Sequence, residues 1–269
     1  MRINNSPIPG GSLVCLKNQD WLDKQRIAGK IVAGALRKLE GYCRDKTFHS
    51  MATLNAVIEQ YIVDCGGIPT FKGYPKTGFP DFPAGVCISI NHQLVHGIPD
   101  DTVLNDGDLV SFDLGVTYQG AIADSALTCI FGPARDHQHV KLVEATREAL
   151  QRGIQAIEVG KHLGCIGQAI YKYAKSQGFG VVTQYGGHGL DWNIPHASPF
   201  VANVGNKDEG IRIQPGLSIA IEPMLTIGPP QTRTLDDGWT VVTPGLGAHF
   251  EHSIFVHQDY VEIITERDR

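Results

Sequence analysis

The sequence predicts an α+β protein, a curved and mainly antiparallel sheet covered by two pairs of helices with an approximate twofold repeat. Three observations carry this. The order helix, helix, strands occurs twice, and neither half shows the β-α-β alternation of a doubly wound sheet. One local likeness also links the halves: Leu104-Asn-Asp-Gly-Asp-Leu-Val-Ser-Phe-Asp113 beside Ile213-Gln-Pro-Gly-Leu-Ser-Ile-Ala-Ile-Glu222. Each places a turn before an apolar strand and a carboxylate at its end. No low-complexity linker interrupts the chain, so the expected organisation is an N-terminal extension, 1–15, and one domain over 16–269.

A first helix is expected over 20–39, where Leu22, Ile27, Ile31 and Leu36 form a stripe. A second is expected over 53–64, where Leu54, Val57, Ile58, Tyr61 and Ile62 recur at helical spacing until Gly66 and Gly67 stop it. Residues 74–85 are rich in Pro, Gly and Phe and form a loop, followed by a strand at 86–90. Asp106-Gly107 marks a turn. Strands at 109–114 and 121–131 then make a hairpin around 115–120. In the second half, helices over 140–157 and 166–177, the latter stopped by Gly178, precede strands at 179–183, 217–222, 239–242 and 250–256.

With 269 residues, 42% of them hydrophobic and 19% charged, the chain can bury one sizeable core, which excludes disorder, collagen and coiled coil. Lys and Arg number 23 against 28 Asp and Glu, without basic runs, so no nucleic-acid surface is expected. No apolar run approaches the roughly 18 residues of a membrane span, and residues 1–11 lack a signal-peptide pattern. A cytoplasmic protein with no membrane partner is the expectation. The six cysteines, at 15, 43, 65, 87, 129 and 165, have no CxxC spacing and are expected to be reduced thiols. Any metal would therefore be held by carboxylate and imidazole.

Four carboxylates sit where apolar residues belong. A symmetric hairpin centred on Tyr118 and Gln119 pairs Asp113 directly with Asp124, at a Cβ separation of about 4.5–5.5 Å. Both lie in apolar sequence, and a buried like-charge pair persists only with a shared proton or a cation. Glu222 ends an apolar strand, and Glu251 lies between Phe250 and another. Four acids are too many for proton sharing. Oxygen-rich sites with an imidazole suit Mn, Fe, Co or Zn, and two ions about 3.5–4 Å apart can share carboxylates. His188, within Gly186-Gly-His-Gly189 after an apolar strand, is a candidate imidazole, the glycines leaving room for a ligand. A structural turn is the alternative for this motif.

These residues resemble the type I methionine aminopeptidases of the pita-bread fold, with this chain a divergent member. The resemblance runs from about Leu16 to Thr265 through Gly73-Tyr-Pro, Cys87-Ile-Ser-Ile-Asn91, Val95-His-Gly-Ile-Pro-Asp-Asp101, Ala123-Asp-Ser, Gly187-His-Gly, Ile221-Glu-Pro-Met224, Asp237-Gly-Trp-Thr-Val241 and Phe250-Glu-His-Ser253. It implies two divalent ions (Co, Mn, Fe or Zn) held by Asp113, Asp124, His188, Glu222 and Glu251. Asp124 and Glu251 would bridge them, Asp113 would bind one ion through both oxygens, and His188 and Glu222 would serve the other. It implies His96 and His196 as substrate-lining catalytic histidines, the former near the scissile amide nitrogen and the latter near its carbonyl oxygen. Glu222 would carry the proton, and Ile68, Phe71, Tyr74, Cys87 and Trp239 would form the pocket for the first side chain. His249, His252 and His257 are assigned structural or surface roles.

The implied activity is removal of N-terminal methionine from nascent proteins and peptides with a small second residue, by a monomer. Another pita-bread aminopeptidase, of Xaa-Pro type or with a specialised peptide substrate, is the alternative. The chain lacks the N-terminal zinc-finger extension of some relatives, so any ribosome contact is expected to use the catalytic domain.

Two departures stand out. The usual pattern Gly-His-Gly-Ile-Gly-Arg-x-Phe-His-x-x-Pro becomes Gly187-His-Gly-Leu-Asp-Trp-Asn-Ile-Pro-His-Ala-Ser-Pro199, one residue longer between the histidines and with Pro195 in place of the aromatic. Either the pocket widens or Trp192 fills the gap. An insertion over 77–85 lies next to pocket residues, where it either reshapes the mouth of the site or forms a solvent-covered surface loop.

Overall fold

The computed structural model describes residues 14–47 and 50–267, so the expected extension 1–15 lies outside it apart from Val14 and Cys15. Helix α1, Gln19–Asp45, begins where the Asn18 side chain accepts from the Trp21 amide, and ends at Lys46 in left-handed conformation. It runs past the expected stop because the buried stripe continues through Leu39 to Cys43. Helix α2, Met51–Asp64, starts on a Ser50 cap. Helices α3, His137–Gln155, and α4, Gly164–Ser176, repeat the pair, with Asp136 capping α3. The first pair packs on the first-half strands, and α3 lies over strands of the second half. Among the described residues no helix is long and apolar enough to cross a membrane.

The first half holds β1 (Ile68–Pro69), β2 (Cys87–Ile90), β3 (Gln93–Val95), β4 (Leu109–Tyr118) and β5 (Ala121–Ile130). Antiparallel β5 takes one edge of β4, and β1 and β2 share the other. The expected hairpin is present with a shifted register. Strand β4 runs through Gly115 to Tyr118, and the turn is Gln119-Gly120, both at positive φ. Asp113 therefore faces Ala126 and Asp124 faces Gly115. The two acids are diagonal neighbours on one face and not a direct pair, because the shift is by an even number of residues.

The second half holds β6 (Gly180–Val181), β7 (Gly187–Asp191), β8 (Ile194–Val201), β9 (Ser218–Ile221), β10 (Met224–Thr226), β11 (Arg233–Thr234), β12 (Val241–Val242), β13 (Gly247–His249), β14 (His252–Val256) and β15 (Val261–Ile263). Its main sheet has the order β15-β14-β9-β7-β8, and two three-stranded sheets, β13-β10-β6 and β11-β12-β3, take up the remaining strands among the described residues. The halves meet along β5 and β14, where the Glu251 amide donates to the Ala126 carbonyl at 2.9 Å. Asp113 on β4 and Glu222 directly after β9 occupy the corresponding places that the repeat predicts.

Candidate metal centre

The β4–β5 hairpin supplies Asp113 and Asp124, and the β9–β14 pair supplies Glu222 and Glu251 just outside its strands. His188 lies inside β7, not after a strand as expected. A Cβ added at Gly187 would come within 2.1 Å of the Ala220 carbonyl oxygen, and one at Gly189 within 2.0 Å of that of Ser198. The glycines thus admit the backbones of β9 and β8 on either side of His188, which holds its ring in place.

Asp113, Asp124, His188 and Glu251 are buried, and Glu222 is nearly so. His188 Nε2 stands 3.8 Å from Glu222 Oε1, 3.8 Å from Glu251 Oε1 and 4.0 Å from Asp124 Oδ2. These separations exceed a hydrogen bond and suit donors placed around a common ion. Asp113 Oδ1, Asp124 Oδ1 and Glu251 Oε1 are buried without a hydrogen-bond partner. In a folded protein such oxygens call for a cation. Three groups bring one ligand atom per residue within 4.8 Å of one another: Asp113-Asp124-Glu251, His188-Glu222-Glu251 and Asp124-His188-His196. Asp124, His188 and Glu251 each belong to two of them, so the groups overlap in one continuous cluster.

Electrostatics separate these acids. Burial, with the charges of Asp124 and Glu222, raises Asp113 well above the ordinary carboxylate range, and burial pushes Asp124 up to about 6. Glu251 is raised well above its range by burial and by its acidic neighbours. Burial also works to raise Glu222, but His249, with Nε2 at 3.2 Å from Oε2, overcomes it and leaves Glu222 below the ordinary range. His249 is fully buried beside this carboxylate, the structural one of the two roles expected for it, though the contact itself was not legible in the sequence. The only hint was its position two residues before Glu251.

The acids form the floor of a cavity of about 470 Å³. Phe71, Tyr74, Cys87, His96, His196 and Trp239 line it, as expected, whereas Ile68 does not and is 63% exposed on β1. His196 stands at the rim, its ring 4.6 Å from that of His188, edge-on to Tyr74 at 5.1 Å and stacked on Phe71 at 6.2 Å. Desolvation, then the His188 charge, pushes it down to about 3. His96 has a positive φ and faces Tyr185, and desolvation takes it down to about 4. Both rings are neutral at ordinary pH. Cys87 faces Asp113 across β2 and β4, and burial beside the acids pushes its thiol well up, leaving an inert apolar wall. Trp192 does not fill the gap before His196. It lies outside the cavity lining, edge-on to Trp21 at 5.0 Å.

Residues 23–258 match the model of metallopeptidase family M24. The chain belongs to this family. The methionine aminopeptidase of Mycoplasma capricolum is 38% identical over 259 residues, 96% of this chain and 100% of that one. Methionine aminopeptidase 1 of Bacillus subtilis is 37% identical over 255 residues, 94% of this chain and 99% of that one. The crystal structure of methionine aminopeptidase from Thermotoga maritima matches with a TM-score of 0.88 at 33% identity, covering 94% of this chain and 99% of that one. This M24 member has the pita-bread fold and is a metal-dependent hydrolase.

Proposed function

We propose that this M24 peptidase removes N-terminal methionine from nascent proteins and peptides whose second residue is small. Two divalent ions would be held by Asp113, Asp124, His188, Glu222 and Glu251, with Asp124 and Glu251 shared. The carrying observation is the set of buried, unpartnered carboxylate oxygens at the floor of an aromatic-lined cavity. The relatives' names point to the same substrate. An oxygen-rich site with one imidazole accepts Mn, Fe, Co or Zn.

When bound, the ions lower the pKa of water and polarise the scissile carbonyl, which supplies a nucleophile near neutral pH. Glu222, ionised beside His249, takes the proton from the attacking water and carries it to the leaving amine. His196, neutral and at the rim, donates to the carbonyl oxygen as negative charge develops there. His96 faces the amide nitrogen. The acid-rich floor selects a free α-amine, which confines cleavage to the first residue, and crowding between the two histidines favours a small second one.

The test is hydrolysis of Met-Ala-Ser before and after dialysis against a chelator, with Mn or Co restored, beside an Ala-Pro peptide. Methionine release that vanishes with the metal and returns with it is the expected result. Activity surviving complete metal removal, or preference for Ala-Pro, overturns the reading.

A further inference from the structure

Within residues 77–85, Phe82 is built into the wall of the cavity, while 77–81 and Pro83 are exposed. Phe82 is 2% exposed, lines the cavity, and clusters with Phe71, Ala84, Cys87 and Trp239. Its backbone is pinned twice, its amide donating to the Tyr74 carbonyl at 2.9 Å and its carbonyl accepting from the Gly73 amide at 2.8 Å. At the far end of the segment the Gly85 amide donates to Glu59 Oε1 at 2.8 Å. An aromatic held in this way is wall and not surface loop.

Trp239 is held by two residues of this stretch and by Lys76 just before it. Phe82 meets its ring edge-on at 5.3 Å, its indole N–H donates to the Pro80 carbonyl at 2.9 Å, and Lys76 Nζ stands 4.8 Å from its ring centroid. Meanwhile Pro195, in place of the usual aromatic before the second histidine, is buried outside the cavity lining.

We propose that Phe82 is a specificity-determining residue, its ring closing the apolar pocket for the substrate's first side chain and supplying the aromatic wall that Pro195 does not. The inference rests on the reading that this cavity receives N-terminal methionine. A thioether packs well against aromatic edges, and an apolar pocket discriminates by the volume it leaves. Removing the Phe82 ring opens that volume and frees Trp239 on one side. The pocket then loses affinity for methionine and gains room for larger side chains.

The test is kcat and KM of the metal-loaded full chain on Xaa-Ala-Ser peptides with Met, Leu or Phe first, for the wild type, Phe82→Ala and Phe82→Leu. In Phe82→Ala, KM for the Met peptide rises and the preference for Met over Phe falls about tenfold or more. Phe82→Leu recovers part of the Met preference, and it decides by the same ratio where Phe82→Ala does not fold. An unchanged Met-to-Phe ratio in the folded variants overturns the proposal, whether the rates stay equal or fall together as in a purely structural role. A wild type that cleaves Met with a preference independent of residue 82 defeats this proposal alone. A wild type that does not cleave Met defeats the underlying reading, and this one with it.

Discussion

The Ser253 hydroxyl accepts a hydrogen bond from the Asp124 amide and returns one to the Asp124 carbonyl, both at 2.8 Å. Ser125 does the converse, donating to the Glu251 carbonyl at 2.5 Å while Arg267 donates to its hydroxyl at 2.8 Å. Asp124 and Glu251, one from each half, are thus set against each other by bonds between β5 and the start of β14. These serines hold the two carboxylates from behind, on the side away from the cavity lining.

Ser253→Ala leaves the buried Asp124 amide unpaired, at a cost of about 1–3 kcal/mol. Because the lost bonds orient a carboxylate that the proposed function makes a metal ligand, metal affinity falls about 10–100-fold. Thermal unfolding and metal titration read the two effects separately. Wild-type affinity in a destabilised variant would show that the seam stabilises the fold without setting the ligands.

Asp113 and Asp124 were legible in the sequence because an acid inside an apolar strand breaks the pattern that makes the strand. Their register was not, since it depends on Gln119 and Gly120 both accepting positive φ. The β7–β8 hairpin that carries His188 and His196 was also hidden. Its glycines and prolines oppose strand formation locally, and only the approach of β9 on the other side explains them. Phe82 reads as a loop aromatic for a similar reason. Its burial is decided by Trp239, far along the chain, and no local pattern records that contact.

Metal removal couples to pH through the acids. Burial raises the folded-state pKa of Asp113 and Glu251, and takes Asp124 to about 6, all above their unfolded values. A raised carboxylate penalises the folded state at neutral pH and relieves it as pH falls through that pKa. Bound cations remove the penalty. The melting-temperature gap between loaded and chelated protein is therefore widest at about pH 7.5 and closes toward about pH 5. At free metal a hundredfold above Kd the gap is about 2.7 kcal/mol, or roughly 5–10 °C. Taking the difference at each pH cancels His96, His196 and His252, whose lowered values act in the opposite sense. A gap that widens on acidification contradicts the assignment.

If His196 donates to the developing charge as proposed, His196→Ala lowers kcat about 10²–10³-fold with a smaller change in KM. Metal content measured on the purified variant stays at the wild-type level if His196 serves the substrate, and falls if it completes the group with Asp124 and His188. The wild-type ring is already neutral above about pH 3, and His96 above about pH 4. Any acid limb of kcat between about pH 5 and 7 therefore persists unchanged in the variant.

Glu59 on α2 anchors the inserted segment from outside the cavity. Burial works to raise its pKa, but hydrogen bonds from Lys72, Asn55 and the Gly85 amide outweigh burial and hold it below the ordinary carboxylate range. A depressed carboxylate contributes stability that is present above its unfolded pKa and lost as pH falls through the folded one. Glu59→Gln keeps the shape but loses the charge, and Lys72 is half-exposed, so the cost is about 1–2 kcal/mol at neutral pH. The difference from wild type begins to shrink below the ordinary Glu value of about 4.3 and is gone only below the lowered folded value. Because Glu59 touches no reacting atom, loosening Gly85 raises KM for Met-Ala-Ser more than it lowers kcat. Equal stability at pH 7, or a loss confined to kcat, contradicts an anchoring role.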